Sequence, residues 1–393
     1  MPGVSGPSPA SAPPGASSVG APWPAMEVAA RIHRLKERAG EAGLDALLVT
    51  RVVNIRYLTG FTGSAATLLV PTTPGARPTF VTDGRYRDQG AEETAAAGAE
   101  VEVEVGLTPG EQRDLLVAAA GAAGAAGGRI GLEEAGVTWA QQRRLATDWF
   151  PEAELVPTGS LVEDLRRVKD AGEVARIRAA CAIADAALEA VGPSMAAGPT
   201  EREFALALEF AMRERGATAV SFEPIVASGP NGARPHARPS ERRIGRHDLV
   251  VLDFGCVVDG YCSDMTRTVA LDDPGPEARR VWETVRTAQA AGRAAVGPGV
   301  AAADVDAACR DVIARAGWGD AFLHGTGHGV GLEVHEEPRV TRGVGGTLAA
   351  GNVVTVEPGV YLPGVGGVRI EDTLVVTDEG STVLTEFPKG LHL

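Results

Sequence analysis

The sequence predicts an α/β domain followed by an α+β domain, and three observations carry that prediction. Strand-like and helix-like runs alternate over 26–158. A long amphipathic helical stretch opens at 159, and strands with glycine loops take over after Ser221. The 50 glycines of 393 residues are too few for general disorder but locally dense, with 12 of the 43 residues from Gly325 to Gly367 being glycine.

Residues 1–25 are mostly Pro, Gly, Ala and Ser with no charged side chain. Such a segment buries too little apolar surface to offset its ordering entropy, so a disordered tail is expected there. Val28, Ile32 and Leu35 then recur at helical spacing, and the helix closes at Gly40 and Gly43. DALLVT, ATLLV and PTFVT read as strands, with PTTPGAR as a turn between the last two. QRDLLVAAAGAAGAAGG is helical until glycine dilutes it, GRIGLEE is a strand, and VTWAQQRRLATDW is a helix. The second domain, 159–393, opens with LVEDLRRVKDAGEVARIRAACAIADAALEAV, a helix broken at Asp170-Ala171-Gly172. Thr200 and Glu203 form a capping box ahead of the next helix. Two more helices are expected near 276–296 and 302–317.

Composition excludes several functions. With 37 basic against 51 acidic residues the chain carries −14, the wrong sign for a phosphate backbone or an anionic membrane surface. Four cysteines without a CxxC pair fit neither a disulfide framework nor a zinc knuckle; they read as core residues. No run reaches the roughly 18 apolar residues of a membrane span, and no signal peptide is evident, so the expected location is cytoplasmic.

Three segments carry chemistry. In LVVLDFGCVVDGYCSDMTRTVAL, Asp259-Gly260 is a hairpin turn signal. A two-residue loop there sets Asp253 opposite Thr266, with Asp264 diagonal to it on the same face, Cα atoms about 7–8 Å apart. Aspartate in so apolar a run needs a partner or a metal. In HGTGHGVGLEVHEEP, three of the seven histidines, His324, His328 and His335, stand on a glycine loop that lets backbone approach closely. In VVTVEPGVYLPGVGGVRIEDTLVV, Glu357 ends one apolar strand and Glu371 sits inside another. Arg369, two residues before Glu371 on the same face, makes a buried Arg–Glu network the competing reading. Asp253, Asp264, His328, Glu357 and Glu371 form an oxygen-dominated set, and two divalent ions would neutralise its four carboxylates.

The ordered set LDFG…SDMTRT…HGTGHGVGLEVHE…TVEPG…RIED resembles the metal-binding signature of the methionyl aminopeptidase, aminopeptidase P and prolidase family of pita-bread metallopeptidases. VNIRYLTGFTGSAATLLV and TDGRY are similar to the creatinase-like first domain of its Xaa-Pro branch, a domain the methionyl aminopeptidase branch lacks. The resemblance implies a creatinase-like α/β domain over 26–158 and a pita-bread α+β domain over 159–393. It implies hydrolysis of Xaa-Pro bonds, as a dipeptidase or an aminopeptidase P, by a hydroxide bridging two metal ions. Mn2+ is the first expectation, with Co2+ or Zn2+ as alternatives. Asp253 would bind one ion, His328 and Glu357 the other, and Asp264 and Glu371 both. Glu357 would handle the water proton. His236, in ASGPNGARPHARPS, and His335 would meet the substrate, His324 would line the proline pocket, and Arg369 would orient the bridging acids. The implied partner is a proline-containing peptide, with no nucleic acid or membrane, and the implied assembly a homodimer. The alternatives are a non-catalytic binding module of this fold and a creatinase-like C–N hydrolase. His247, where the pattern usually has a Gly-Asp turn, departs from the family without touching the site.

Overall fold

A computed structural model describes residues 23–392. The expected tail over 1–22 lies outside the described residues. Residues 23–25, included in that tail, instead meet a helix further along: Arg176 donates to the Pro24 carbonyl at 3.3 Å and its guanidinium lies 5.2 Å from the Trp23 ring.

The N-terminal part is one six-stranded sheet. Its strands are β1 (Ala46–Val49), β2 (Ala66–Pro71), β3 (Thr79–Thr82), β4 (Glu102–Val105), β5 (Arg129–Glu133) and β6 (Glu154–Thr158), in the order β4-β3-β2-β1-β5-β6. β1 pairs parallel with β5 and antiparallel with β2. The helices are α1 (Val28–Glu41), α2 (Val52–Thr59), α3 (Arg87–Ala96), α4 (Pro109–Ala122) and α5 (Trp139–Arg144). The α1 stripe of Ile32, Leu35 and Ala39 packs on Leu47, Val49, Leu68 and Val70. The sequence reading gave no expectation for α2, α3, β4 or β6. α2 is short and rich in β-branched residues. α3 buries only Gly90 and Thr94, so it shows no apolar stripe. β6 contains Pro157, tolerated because the strand is an edge.

α6 (Glu163–Arg166) leads into α7 (Ala171–Val191), which starts where the sequence breaks: Asp170 caps it and closes a capping box with Glu173. α8 (Glu201–Glu214) starts at the Thr200–Glu203 box. Then come β7 (Ala219–Val220), β8 (Ile225–Ser228), β9 (Val250–Phe254), β10 (Cys256–Val258), β11 (Tyr261–Cys262) and β12 (Met265–Val269). α9 (Pro276–Ala295) and α10 (Ala302–Arg315) precede β13 (Gly327–Gly329), β14 (Glu336–Val340), β15 (Val353–Val356), β16 (Gly359–Leu362), β17 (Gly366–Arg369), β18 (Asp372–Thr377) and β19 (Gly380–Val383).

The antiparallel strands are divided among four small sheets, two of them β12-β9-β8 and β14-β13-β15-β18-β19. Two helix pairs cover them. α7 and α8 bury Ala184, Leu188, Leu208 and Met212 against Val226, Leu252, Phe254 and Met265. α9 and α10 bury Val285, Val305 and Cys309 against Val354, Val356, Val368 and Leu374. The two halves meet along a polar seam: the Thr373 hydroxyl donates to the Asp264 carbonyl at 2.7 Å, and that of Thr268 to the Arg369 carbonyl at 2.8 Å. All four cysteines are buried and free. No helix of the described residues is long and apolar enough to cross a membrane.

Asp372 locks one end of this seam. Fully buried, it accepts from Arg267 at 3.1 Å, Gln289 at 2.8 Å and Lys389 at 2.7 Å. Arg267, itself buried, also donates to the Glu371 carbonyl. Asp372→Ala leaves that guanidinium with carbonyl acceptors and no paired carboxylate, and removing one partner of a buried pair costs about 3–5 kcal/mol. Denaturant unfolding should register that loss; a change below about 1 kcal/mol would contradict the account.

Candidate metal centre

The hairpin that carries the first two acids forms because Asp259 and Gly260 both take positive φ, 45° and 80°, as a two-residue primed turn requires. Val258 pairs with Tyr261 and Thr266 with Asp253, the register expected from the turn. Between these pairs the hairpin passes from one sheet to another at Gly255, where a Cβ would stand 1.9 Å from the Ser263 carbonyl oxygen. Asp253 therefore projects from β9, and Asp264 from the residue just before β12.

The other half of the seam supplies the rest. His328 is the middle residue of β13, Glu357 follows β15, and Glu371 lies in the break between β17 and β18. Gly327 admits the close pairing of this loop, since a Cβ there would meet the Thr355 carbonyl oxygen at 2.0 Å. Ligand atoms of Asp264, His328 and Glu371 all lie within 4.8 Å of one another. His328 Nδ1 donates to the Gly329 carbonyl at 3.0 Å, which leaves Nε2 facing Glu357 Oε1 at 3.2 Å and Asp264 Oδ2 at 3.6 Å.

Oxygen on two sides of Nε2 calls for positive charge between them. A proton meets that need for one nitrogen only. A divalent cation meets it and also serves Asp253 Oδ1 and Glu371 Oε1, which are buried with no hydrogen-bond partner among the described residues. Electrostatics agree. Burial, then the charges of Glu371, Asp253 and Glu357, push Asp264 well above the carboxylate range, and burial with Glu357 and Asp253 does the same to Glu371. Burial would raise Glu357 too, but His328 and then His324 and Arg369 hold it down at about 2. The donor set thus fits hard divalent ions.

Arg369 does not pair with Glu371, as one reading of the sequence had it. β17 ends at Arg369 and β18 starts at Asp372, so the two residues do not share a strand face. The guanidinium instead pairs with Asp253 Oδ2 and donates to the Thr266 hydroxyl at 3.1 Å, which in turn donates to Glu371 Oε2 at 2.7 Å. It orients Asp253 directly and Glu371 only through Thr266.

His324 takes part in a chain that starts at the same arginine. Arg369 donates to the Tyr361 hydroxyl at 2.7 Å, Tyr361 donates to His324 Nε2 at 2.8 Å, and His324 Nδ1 donates to the Gly325 carbonyl at 2.7 Å. Burial lowers the His324 pKa and keeps the ring neutral. With both nitrogens engaged, it offers substrate only its ring. Tyr361 escaped the sequence reading because, inside GVYL, it looks like an ordinary core aromatic; its place four residues after Glu357 was the one available signal. His335 sits at the exposed rim, its ring edge-on to His328 with centroids 4.3 Å apart. Desolvation, then His328 and Arg339, lower its pKa to about 4, so it is neutral near pH 7 and one ring nitrogen carries a donor hydrogen. His236 lies exposed on the loop ahead of β9. The nine site residues expected from the sequence all border one cleft of about 570 Å³, with Phe222 and Ile225 as apolar wall and Arg339 and Thr341, also missed by the sequence reading, at its edge.

Residues 175–378 match Metallopeptidase family M24, and residues 31–168 match the Creatinase/Prolidase N-terminal domain. The chain belongs to metallopeptidase family M24. The uncharacterized peptidase YqhT of Bacillus subtilis is 40% identical over 361 residues, 92% of this chain and 99% of that one. The structure of an Xaa-Pro dipeptidase from Bacillus anthracis superposes with a TM-score of 0.86 at 37% identity, covering 93% of this chain and 99% of the other. That of an X-Pro aminopeptidase from Thermotoga maritima MSB8 gives 0.82 at 34%, covering 90% and 99%. The creatinase-like domain followed by the pita-bread domain is the architecture these M24 proteins share, and the M24 chain is a metallopeptidase whose family uses divalent metal ions.

Proposed function

We propose that this M24 chain hydrolyses the bond between a first residue and proline, using two divalent ions. The observation that carries the reading is the convergence of Asp264, His328 and Glu371 within 4.8 Å, with Glu357 on the same histidine nitrogen. Similarity to Xaa-Pro peptidases over more than nine-tenths of the chain supports the substrate. Asp253 would hold one ion, His328 and Glu357 the second, and Asp264 and Glu371 both. Mn2+ comes first because four of these five donors are carboxylates. Bound there, the ions supply Lewis acidity and a nucleophilic water at neutral pH.

The chain's own groups do the rest. Glu357 takes the water's proton on a carboxylate oxygen and passes it to the leaving proline nitrogen. The His335 ring N–H donates to the carbonyl oxygen as negative charge develops on it. His236 meets the substrate from the opposite loop, and the His324 ring with Phe222 and Ile225 bounds the site for the proline ring. A prolyl nitrogen has no N–H to offer a protease that binds its substrate through that donor. A site that instead grips the free amine and the carbonyl tolerates the loss. A full ligand set argues against a non-catalytic module, and the assembly we propose is a homodimer.

The test is proline release from Xaa-Pro compared with Xaa-Pro-Yaa, with Mn2+ and with chelator. Release from the dipeptide alone indicates a dipeptidase; release of the first residue from the longer peptide indicates an aminopeptidase. Either must appear with Mn2+ and disappear with chelator. Turnover of neither peptide, or turnover that survives chelation, would contradict the proposal.

A further inference from the structure

A chain of charged side chains, half-buried at Arg51, Glu163 and Glu333 and buried at Arg166, Lys169 and Glu336, runs from the N-terminal sheet to the loop that carries His335. At one end Glu133, at the tip of β5, accepts from the Thr50 and Arg51 backbone N–H groups at 2.6 and 2.9 Å and from Asn54 at 2.7 Å. Arg51 donates to Glu163 at 2.6 Å and to Glu333 at 2.8 Å. Arg166 donates to Asn54 at 2.7 Å and to Glu333 at 2.8 Å, and pairs with Glu336. Lys169, on the segment entering α7, closes the set by donating to Glu336 at 3.0 Å. Arg166, Lys169 and Glu336 are all buried.

The two carboxylates at the far end, Glu333 and Glu336, bracket His335. Glu336 also accepts from the Glu333 backbone N–H at 3.1 Å, closing the loop on itself. Its carboxylate fills the space beside Gly331, where a Cβ would come within 2.5 Å of it. Gly331 in turn donates to the Glu333 carbonyl at 3.0 Å and accepts from Cys262 at 2.8 Å, two residues before Asp264. Lys169 and Arg166 hold Glu336 ionised against the burial penalty, at about 2. Buried ion pairs are a costly way to hold a fold together, since apolar side chains of the same volume do as well or better. What they add is a fixed geometry at both ends.

We propose that Arg51, Arg166 and Lys169 are positioning residues for His335, through which the N-terminal domain sets the presentation of that imidazole to the substrate carbonyl. The proposal rests on the role given to His335 above. His335 itself stands exposed at the rim, so the loop on either side of it must supply its placement. Arg51 and Glu333 are the place to cut, because they are more accessible than Arg166, Lys169 and Glu336, 25% and 38% exposed, and without Glu333 Arg166 still keeps Asn54 and Glu336 as partners.

The experiment compares Arg51→Met, Glu333→Gln and the double variant as full-length, Mn2+-loaded chains. Misplacing a catalytic group by a fraction of an ångström should lower kcat roughly 10- to 100-fold in each single variant, with KM within about twofold of wild type. Metal content should stay unchanged, amide hydrogen exchange at 331–336 should quicken, and the double variant should be no worse than the worse single. A purely structural pair would lower thermal stability and leave kcat alone. Unchanged kcat in both single variants, or unchanged exchange at 331–336, overturns the proposal. Exchange is read without substrate. A wild-type chain that releases no proline therefore counts against the Xaa-Pro reading, and the positioning role is then decided on exchange alone.

Discussion

Replacing Asp264 with alanine should abolish turnover, to below about a tenth of wild type, because in the proposed centre it is the ligand shared by two ions and would position both. Asp264 is buried, faces His328 Nε2 at 3.6 Å and shares the 4.8 Å cluster with Glu371. Asp253 and Glu371 are each anchored through one oxygen, by Arg369 and by Thr266, which keeps either from swinging across to replace it. The loss should not come from misfolding. The substitution removes one charge from a buried cluster of like charges, so thermal melting of the metal-free variant should not fall below that of metal-free wild type. Turnover above a tenth of wild type would refute the shared-ligand role, and collapse of the metal-free fold would refute the electrostatic argument.

His335→Ala should lower kcat by roughly 10²–10³-fold while leaving metal content alone, the usual cost of losing one donor to a developing oxyanion, the role proposed for it. His335 is exposed, held neutral with its pKa lowered to about 4, and stands edge-on to His328 at 4.3 Å rather than between the carboxylates. Its removal therefore subtracts a hydrogen-bond donor without exposing a buried group. Steady-state kinetics beside metal analysis separates the two effects: kcat unchanged rules the role out, and metal lost in proportion to kcat reassigns His335 to the ligand set.

Much of this centre was legible in the sequence because its signals are local. The Asp259-Gly260 turn fixes the register of Asp253 and Thr266 without any knowledge of the fold. Three histidines on one glycine loop, and acids inside apolar strands, announce a partner wherever the strands end up. The rest depends on contacts between segments far apart in the chain. Arg369 finds Asp253 across 116 residues, and nothing near either one says so. Arg166 and Lys169 read as the polar face of a helix until the fold brings Glu336 onto them, 170 and 167 residues away. In the first domain, strands with apolar runs were legible, whereas α3, with almost no buried face, and β6, an edge strand with a proline, carry no periodic signal. The division of the C-terminal strands into four sheets is a matter of bends such as Gly255, which a strand pattern does not record.

The metal content of the chain, measured after equilibration with excess Mn2+ and removal of unbound ion, bears on the central claim more directly than any rate. Four carboxylates, those of Asp264 and Glu371 buried and those of Asp253 and Glu357 half-buried, and one imidazole lining one cleft predict close to two ions per chain. One ion or none under those conditions would contradict the account.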